Sequence, residues 1–145
     1  MDDQSVTFDL DRFVTAQAEI YDQALAEIRR GRKTSHWMWF IFPQIAGLGD
    51  SPMAQHYAIG SLREAQAYLA HPILGKRLRL CLLALADHPN LSAEDIFGPI
   101  DAMKLRSSLT LFAEAGETGS FADALDRWFG GRRDHMTLAI LARAP

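Results

Sequence analysis

The sequence predicts an all-α protein: one compact domain over residues 1–145, built from about seven or eight helices. Apolar residues recur at three-and-four spacing in segment after segment, the mark of a helix with one buried face. No stretch alternates apolar and polar residues at period two, as a half-buried strand would. Helix starts and stops also punctuate the chain at short intervals, among them Ser51-Pro52, Ser61-Leu62-Arg63-Glu64 and Gly130-Gly131.

The first element follows from Phe13, Ala16, Gln17, Ile20, Ala24, Leu25 and Ile28. Their spacing predicts a helix of about twenty residues, with Asp9 as its N-cap and Gly31 as its C-terminal stop. The run Ser35-His36-Trp37-Met38-Trp39-Phe40-Ile41-Phe42-Pro43-Gln44 holds two of the three tryptophans. Each aromatic removes roughly 150–250 Å² from water on burial, so this segment must organise the core. Its continuous apolar character suits a buried strand or a short buried helix; helix is the reading adopted, with Ser35 at or just before the N-cap and Pro43 ending it.

Gly47-Leu48-Gly49-Asp50 is a loop, after which Ser51 caps a short helix with Pro52 in its first position. Ser61 and Glu64 form a capping box for a helix through Leu69, in which Glu64 reaches back to Ser61. His71-Pro72 restarts the helix, and Ile73, Leu74, Leu78, Cys81, Leu82 and Leu85 give it a broad apolar face ending before His88-Pro89-Asn90. Ser92 to Phe97 is one helical turn; Pro99 opens a longer helix whose core residues run from Ile100 to Ala113, ending at Gly116. Ser120 is expected to cap a helix stopped by Gly130-Gly131, and Asp134 to cap the last one, carrying Leu138, Ile140 and Leu141.

At 145 residues the chain is long enough to bury about 68–70% of its unfolded surface without a metal or disulfide. The single cysteine, Cys81, lies among leucines and reads as an inert buried thiol. Met1-Asp2-Asp3-Gln4 is acidic where a secretory signal would be basic, and no apolar run approaches a membrane span; a cytoplasmic protein with no membrane association is expected. A net charge of −3 argues against a general nucleic-acid surface. The basic clusters at Arg29 to Lys33 and Arg132-Arg133 read first as helix ends complementing the dipole.

Several segments then carry a family resemblance. They are Gly31-x-Lys33-x-Ser35 through Gln44, Gly47-Leu48-Gly49, Tyr68-Leu69-x-His71-Pro72-x-Leu74-Gly75-x-Arg77-Leu78, and Asp101-x-x-Lys104-Leu105-x-Ser107-Ser108-x-Thr110-Leu111-Phe112. With Asp134-x-x-Thr137-Leu138 they span nearly the whole chain, which resembles a bacterial and fungal family catalogued as a domain of unknown function and often labelled calpastatin. The resemblance implies a compact, mainly helical fold and no settled activity. A calpastatin would be a long disordered inhibitor, which this pattern contradicts.

The residues that can carry chemistry are few. His36 carries an imidazole, which can act as acid, base or ligand, although a lone histidine beside a tryptophan often has a structural role. His71 and His88 precede prolines and read as helix-boundary residues. The five histidines show no metal-ligand spacing, so neither a metal nor another cofactor is expected. Lys104, Ser107 and Ser108 share a helical face with Asp101 one turn earlier, joining an ammonium to two hydroxyls as phosphate sites do. Those serines can equally bond their own helix carbonyls, and no nucleophile elbow surrounds Ser107. Asp134 starts a helix after a glycine loop, where a cap occupies the free amides.

Two functions are carried forward. The first is a binding protein or enzyme for a small phosphate-bearing ligand, with Trp37 or Trp39 against a ring, Lys104, Ser107 or Ser108 on phosphate, and His36 or Asp134 at a reacting centre. The order of aromatic segment, lysine helix and Trp128-Phe129-Gly130-Gly131-Arg132 loop is similar to the N-glycosidase family linked to riboflavin biosynthesis and ADP-ribose removal, which implies a nucleotide or ADP-ribose-like ligand. The second is a non-catalytic protein–protein interaction module whose polar motif residues lock the helices together. Single-stranded nucleic-acid binding through stacked aromatics is disfavoured by the acidic balance.

Overall fold

The computed structural model describes residues 8–116 and 119–143, and among them the chain forms nine helices. They are α1 (Asp11–Ala18), α2 (Tyr21–Arg30), α3 (Met38–Ile41), α4 (Pro52–His56), α5 (Leu62–Ala70), α6 (Leu74–Leu85), α7 (Ala93–Glu114), α8 (Ser120–Phe129) and α9 (His135–Arg143). The all-α expectation holds, with a single parallel bridge, Ile45 to Ile59, tying together the loops that follow α3 and α4. Among the described residues no helix is long and apolar enough to cross a membrane.

The long first helix expected from the sequence is two helices. Its apolar face has two destinations: α1 lies against α3, while α2 lies against α6. The chain bends at Glu19 and Ile20 to reach both, and the break is stitched by Ile20 N–H donating to the Gln17 carbonyl at 3.2 Å. Gln17 is buried beside it, its amide donating to the Phe40 carbonyl at 2.7 Å and the Tyr68 hydroxyl at 3.1 Å. Asp9 is not the cap; Leu10 holds that position with no side-chain bond. Gly31 does stop α2, at φ 81°, and a Cβ there would lie 2.8 Å from Leu91 Cδ1.

The aromatic run forms only one helical turn, starting at Met38 with Trp37 as its N-cap. Ser35 therefore does not cap it; its hydroxyl donates to Glu27 Oε2 at 2.7 Å. Trp37, Phe42 and Phe97 make a three-ring cluster with centroids 6.0 to 6.4 Å apart. A second chain of rings runs Phe13, Tyr68, Phe112, Phe121 at 5.1 to 5.5 Å, joining α1, α5, α7 and α8. Tilted and edge-on contacts of this kind add to the area they bury.

Most of the capping chemistry is where the local pattern puts it. Ser51 Oγ accepts from Ala54 N at 3.1 Å with Pro52 in the first turn, and Ser61 Oγ accepts from Glu64 N at 3.1 Å. Glu64 does not reach back to Ser61. Its Oε1 accepts from Gly60 N at 2.7 Å, and its Oε2 meets Arg12 at 3.0 Å, so a non-local ion pair pulls the carboxylate off the local box. His71 Nδ1 accepts from Ile73 N and Leu74 N, so the ring takes up free amides at the entry to α6, whose N-cap position is held by Ile73. His88 Nε2–H donates to the Ile28 carbonyl at 2.7 Å. Ser120 is helical itself, and Gly119 occupies the cap position without a side-chain bond.

Helix α7 runs through the middle of the molecule, touching α5, α8 and α9. The expected break before Pro99 is a kink at Gly98 (φ 79°, ψ 164°), a conformation open essentially to glycine alone. It turns the segment from Ile100 to Ser107 across the end of α3, and that crossing creates the candidate site.

Candidate functional site

Two adjoining hollows lie where α3, the post-kink part of α7 and the start of α9 meet. The larger, about 530 Å³, is lined by Trp39, Gln44, Lys104, Ser107 and Asp134 together with apolar Leu48, Ile100, Met103 and Met136. The smaller, about 370 Å³, is lined by Lys33, His36, Met38, Phe97 and Asp101. Trp39, Ile100 and Lys104 line both, so the hollows meet along these three side chains. A separate hollow of about 500 Å³ between α6 and α8, lined by Leu82, Leu83, Arg127 and Trp128, holds none of His36, Trp37, Trp39, Lys104, Ser107, Ser108 and Asp134.

The wall between the hollows is an ordered charge chain. Lys104 Nζ sits 5.0 Å from the centroid of the Trp39 ring and 3.5 Å from Asp101 Oδ1. The other oxygen, Asp101 Oδ2, lies 2.8 Å from Lys33 Nζ, which also donates to the Ser35 carbonyl at 2.6 Å and stands 4.9 Å from the Trp37 ring. One carboxylate thus holds two ammonium groups, leaving an excess positive charge beside an aromatic ring.

Glu27 positions this chain from below. It is 1% exposed, and its two oxygens accept from Thr34 N, Ser35 N, Ser35 Oγ, Trp37 Nε1 and Gln23 Nε2, all between 2.7 and 3.0 Å. Burial alone would raise its pKa, but the hydrogen bonds from Ser35, Thr34, Trp37 and Gln23 together hold the carboxyl far below the usual range. The anion nails down the loop from Thr34 to Trp37, while Lys33 N–H donates to the Ile96 carbonyl at 2.8 Å. Lys33 and His36 are thereby held against the kink in α7.

The structure brings some of the expected site residues together and separates others. Trp39, Lys104, Ser107 and Asp134 share the larger hollow, and His36 borders the smaller one. Trp37 and Ser108 do not reach either: both are fully enclosed, Trp37 as a core ring bonded to Glu27 and Ser108 with a hydroxyl that has no partner. Ser107 Oγ donates to the Met103 carbonyl at 3.2 Å, so toward an anion it must first swing away from its own helix. Asp134 is the cap expected of it, Oδ2 accepting from the amide and hydroxyl of Thr137; Oδ1 faces Arg106 at 3.9 Å. His36 is exposed and makes no hydrogen bond to a described residue. Of His36, Lys104, Ser108 and Asp134, two share one hollow and a third stands on its neighbour.

Residues 7–141 match the family model described as Protein of unknown function (DUF1810). The chain belongs to the DUF1810 family. Among solved structures it is similar to the conserved hypothetical protein Rv1873 from Mycobacterium tuberculosis, with 51% identity and a TM-score of 0.92 over 94% of this chain and 99% of that one. No curated protein matches it. The motif resemblance thus led to the right family, and it leaves the activity of this DUF1810 chain to be argued from the site.

The sequence gives Glu27 no role, leaves Gln44 unassigned at the polar end of the aromatic run, and places Lys33 in a basic cluster that reads first as a helix end and second as an anion site. A signal for Glu27 was present: it lies within the apolar set Ala24, Leu25 and Ile28, where an acid is costly unless several donors converge on it. Gln44 stands out locally as a polar residue ending the aromatic run, but its role depends on distant partners: its carbonyl accepts from Ile59 N at 2.8 Å while its side chain lines the larger hollow.

Proposed function

We propose that this DUF1810 protein binds a small phosphate-bearing ligand with a planar ring, of the nucleotide or ADP-ribose type, across the two hollows. The observation that carries the reading is the Trp39–Lys104 pair lining both of them. Stacking on a partly exposed indole suits a heterocycle. An ammonium with one ion pair at 3.5 Å has donors left for phosphate oxygens. The combined size falls in the range of small-molecule sites. In an enzymatic form of this reading His36, the unbonded imidazole, moves the proton, and Asp134 contributes through Oδ1.

Calorimetric titration of the wild type and Lys104→Ala with AMP and ADP-ribose tests the proposal. Loss of one charge-assisted contact predicts about tenfold weaker binding in the variant. Equal affinities in the two proteins would remove the central residue and the reading with it.

A second reading, a non-catalytic protein–protein interaction module, draws on the exposed apolar rim of the same site: Ile100, Met103 and Met136 are 70%, 63% and 57% exposed. Failure of both nucleotides to bind, with His36→Ala and Lys104→Ala each sharply lowering the melting temperature of the unliganded protein, would favour it.

A further inference from the structure

The two hollows differ in charge, and the difference assigns an orientation to the ligand. Lys33, His36 and Lys104 face the smaller one against a single carboxylate, Asp101. In the larger hollow the balance is reversed: among its lining residues Lys104 is the one basic side chain, against Asp50 and Asp134, and while Asp134 Oδ1 faces Arg106 at 3.9 Å, the Asp50 carboxylate has no cation beside it among the described residues. The larger hollow also presents the Gln44 side chain, and neither Gln44 nor Asp50 spends its side chain on a described residue, since the Asp50 bond to Gln55 Nε2 at 3.1 Å uses the backbone carbonyl. These two offer acceptor oxygens to a donor-rich group, and carboxylates repel a phosphate placed among them.

Lys33 stands at the other end, in the smaller hollow. Its ammonium carries three donors, of which two go to Asp101 and the Ser35 carbonyl, and the loop that holds it is anchored by Glu27. A cation so constrained loses little freedom when a phosphate oxygen takes the third donor.

We infer that the ligand binds with its phosphate in the smaller hollow, against Lys33 and Lys104, and its hydroxyl- or amino-bearing body in the larger one, against Asp50 and Gln44. This rests on the phosphate-ligand reading above and extends it to a polarity and to three residues, Lys33, Gln44 and Asp50, that the reading does not use. Ligands of the class carry one terminal phosphate and a body rich in hydrogen-bond donors, as a nucleoside monophosphate does.

Titrations of inorganic phosphate, adenosine and AMP into wild type, Lys33→Met, Gln44→Leu and Asp50→Asn separate the two ends. Lys33→Met is expected to weaken phosphate and AMP alike by about tenfold and to leave adenosine unchanged. Asp50→Asn and Gln44→Leu are expected to weaken AMP and adenosine by about threefold to tenfold and to leave phosphate unchanged. Both larger-hollow positions lie outside the helices, and Asp50 is exposed, so Asp50→Asn keeps the test informative where Lys33→Met lowers the folded fraction. The orientation is overturned if Asp50→Asn changes phosphate affinity as much as AMP affinity, if Lys33→Met leaves phosphate binding intact, or if Gln44→Leu and Asp50→Asn both leave AMP unaffected. Absence of AMP and phosphate binding to the wild type overturns the phosphate-ligand reading itself, and the orientation falls with it.

Discussion

Replacing Glu27 by alanine removes the acceptor for five hydrogen bonds at one stroke. Three of the donors, Thr34 N, Ser35 N and Trp37 Nε1, converge on Oε1 and cannot turn to other partners without moving the loop. The other two, Ser35 Oγ and Gln23 Nε2, meet at Oε2 and can rotate or flip. Stranding a buried donor costs about 1–3 kcal/mol, so with partial rescue by water Glu27→Ala is expected to cost about 4 kcal/mol. Glu27→Gln keeps a carbonyl for the Oε1 donors, and its amide can donate to Ser35 Oγ while Gln23 flips to present its own oxygen. Only charge assistance is lost there, a cost of about 1.5–2 kcal/mol.

The two variants also separate charge from hydrogen bonding through pH. The Glu27 pKa is lowered on folding, so its stabilisation is complete above the unfolded carboxylate pKa near 4.3 and is lost as pH falls toward the lower folded value. Wild type should therefore lose up to about 1.4 kcal/mol per pH unit more than Glu27→Gln between roughly pH 4 and pH 3. Urea unfolding of the three proteins from pH 7 to pH 3, followed by circular dichroism, measures both quantities. A Glu27→Ala cost below about 1 kcal/mol, or parallel pH profiles for wild type and Glu27→Gln, would refute the assignment of a buried, ionised hub.

Three other outcomes follow from the same geometry. Trp37→Ala should destabilise the protein by about 3–5 kcal/mol because it empties the core and removes one of the five donors to Glu27, whereas Trp39→Ala, in the wall of the hollows, should cost less than half as much in the same urea experiment. Gly98→Ala meets no neighbouring atom within 4 Å, so its expected cost of about 1–3 kcal/mol comes from backbone conformation alone; stability equal to wild type in thermal melts would mean the kink is not strained. Burial pushes the Cys81 thiol up to about 12, so a thiol reagent such as dithiobisnitrobenzoate should label it at neutral pH only once denaturant unfolds the chain; rapid labelling of the native protein would contradict the packing around α6.

Elements and caps were legible in the sequence because their physics is local. Ser51 bonding Ala54, Asp134 bonding Thr137 and Gly31 at positive φ are interactions within a few residues, so residue type and spacing were enough to place them. The family followed from the same local text. Where a residue's role depended on a distant partner, that legibility ended. Nothing near Glu19 marks a break; the first helix divides because its two halves face α3 and α6. Glu64 leaves its capping box for Arg12, and Trp37 is sealed by Glu27 while Trp39, two residues on, faces the hollows beside Lys104. Helical periodicity assigns residues to a face but not to the element that face will meet. The sequence by itself determined the helices, most of their ends and the family, since each rests on short-range bonds and apolar spacing. Only the tertiary structure decided which polar residues stand together: Lys33, Asp101 and Lys104 come from a loop and a helix some seventy residues apart, and the kink at Gly98 and the anion at Glu27 bring them into contact.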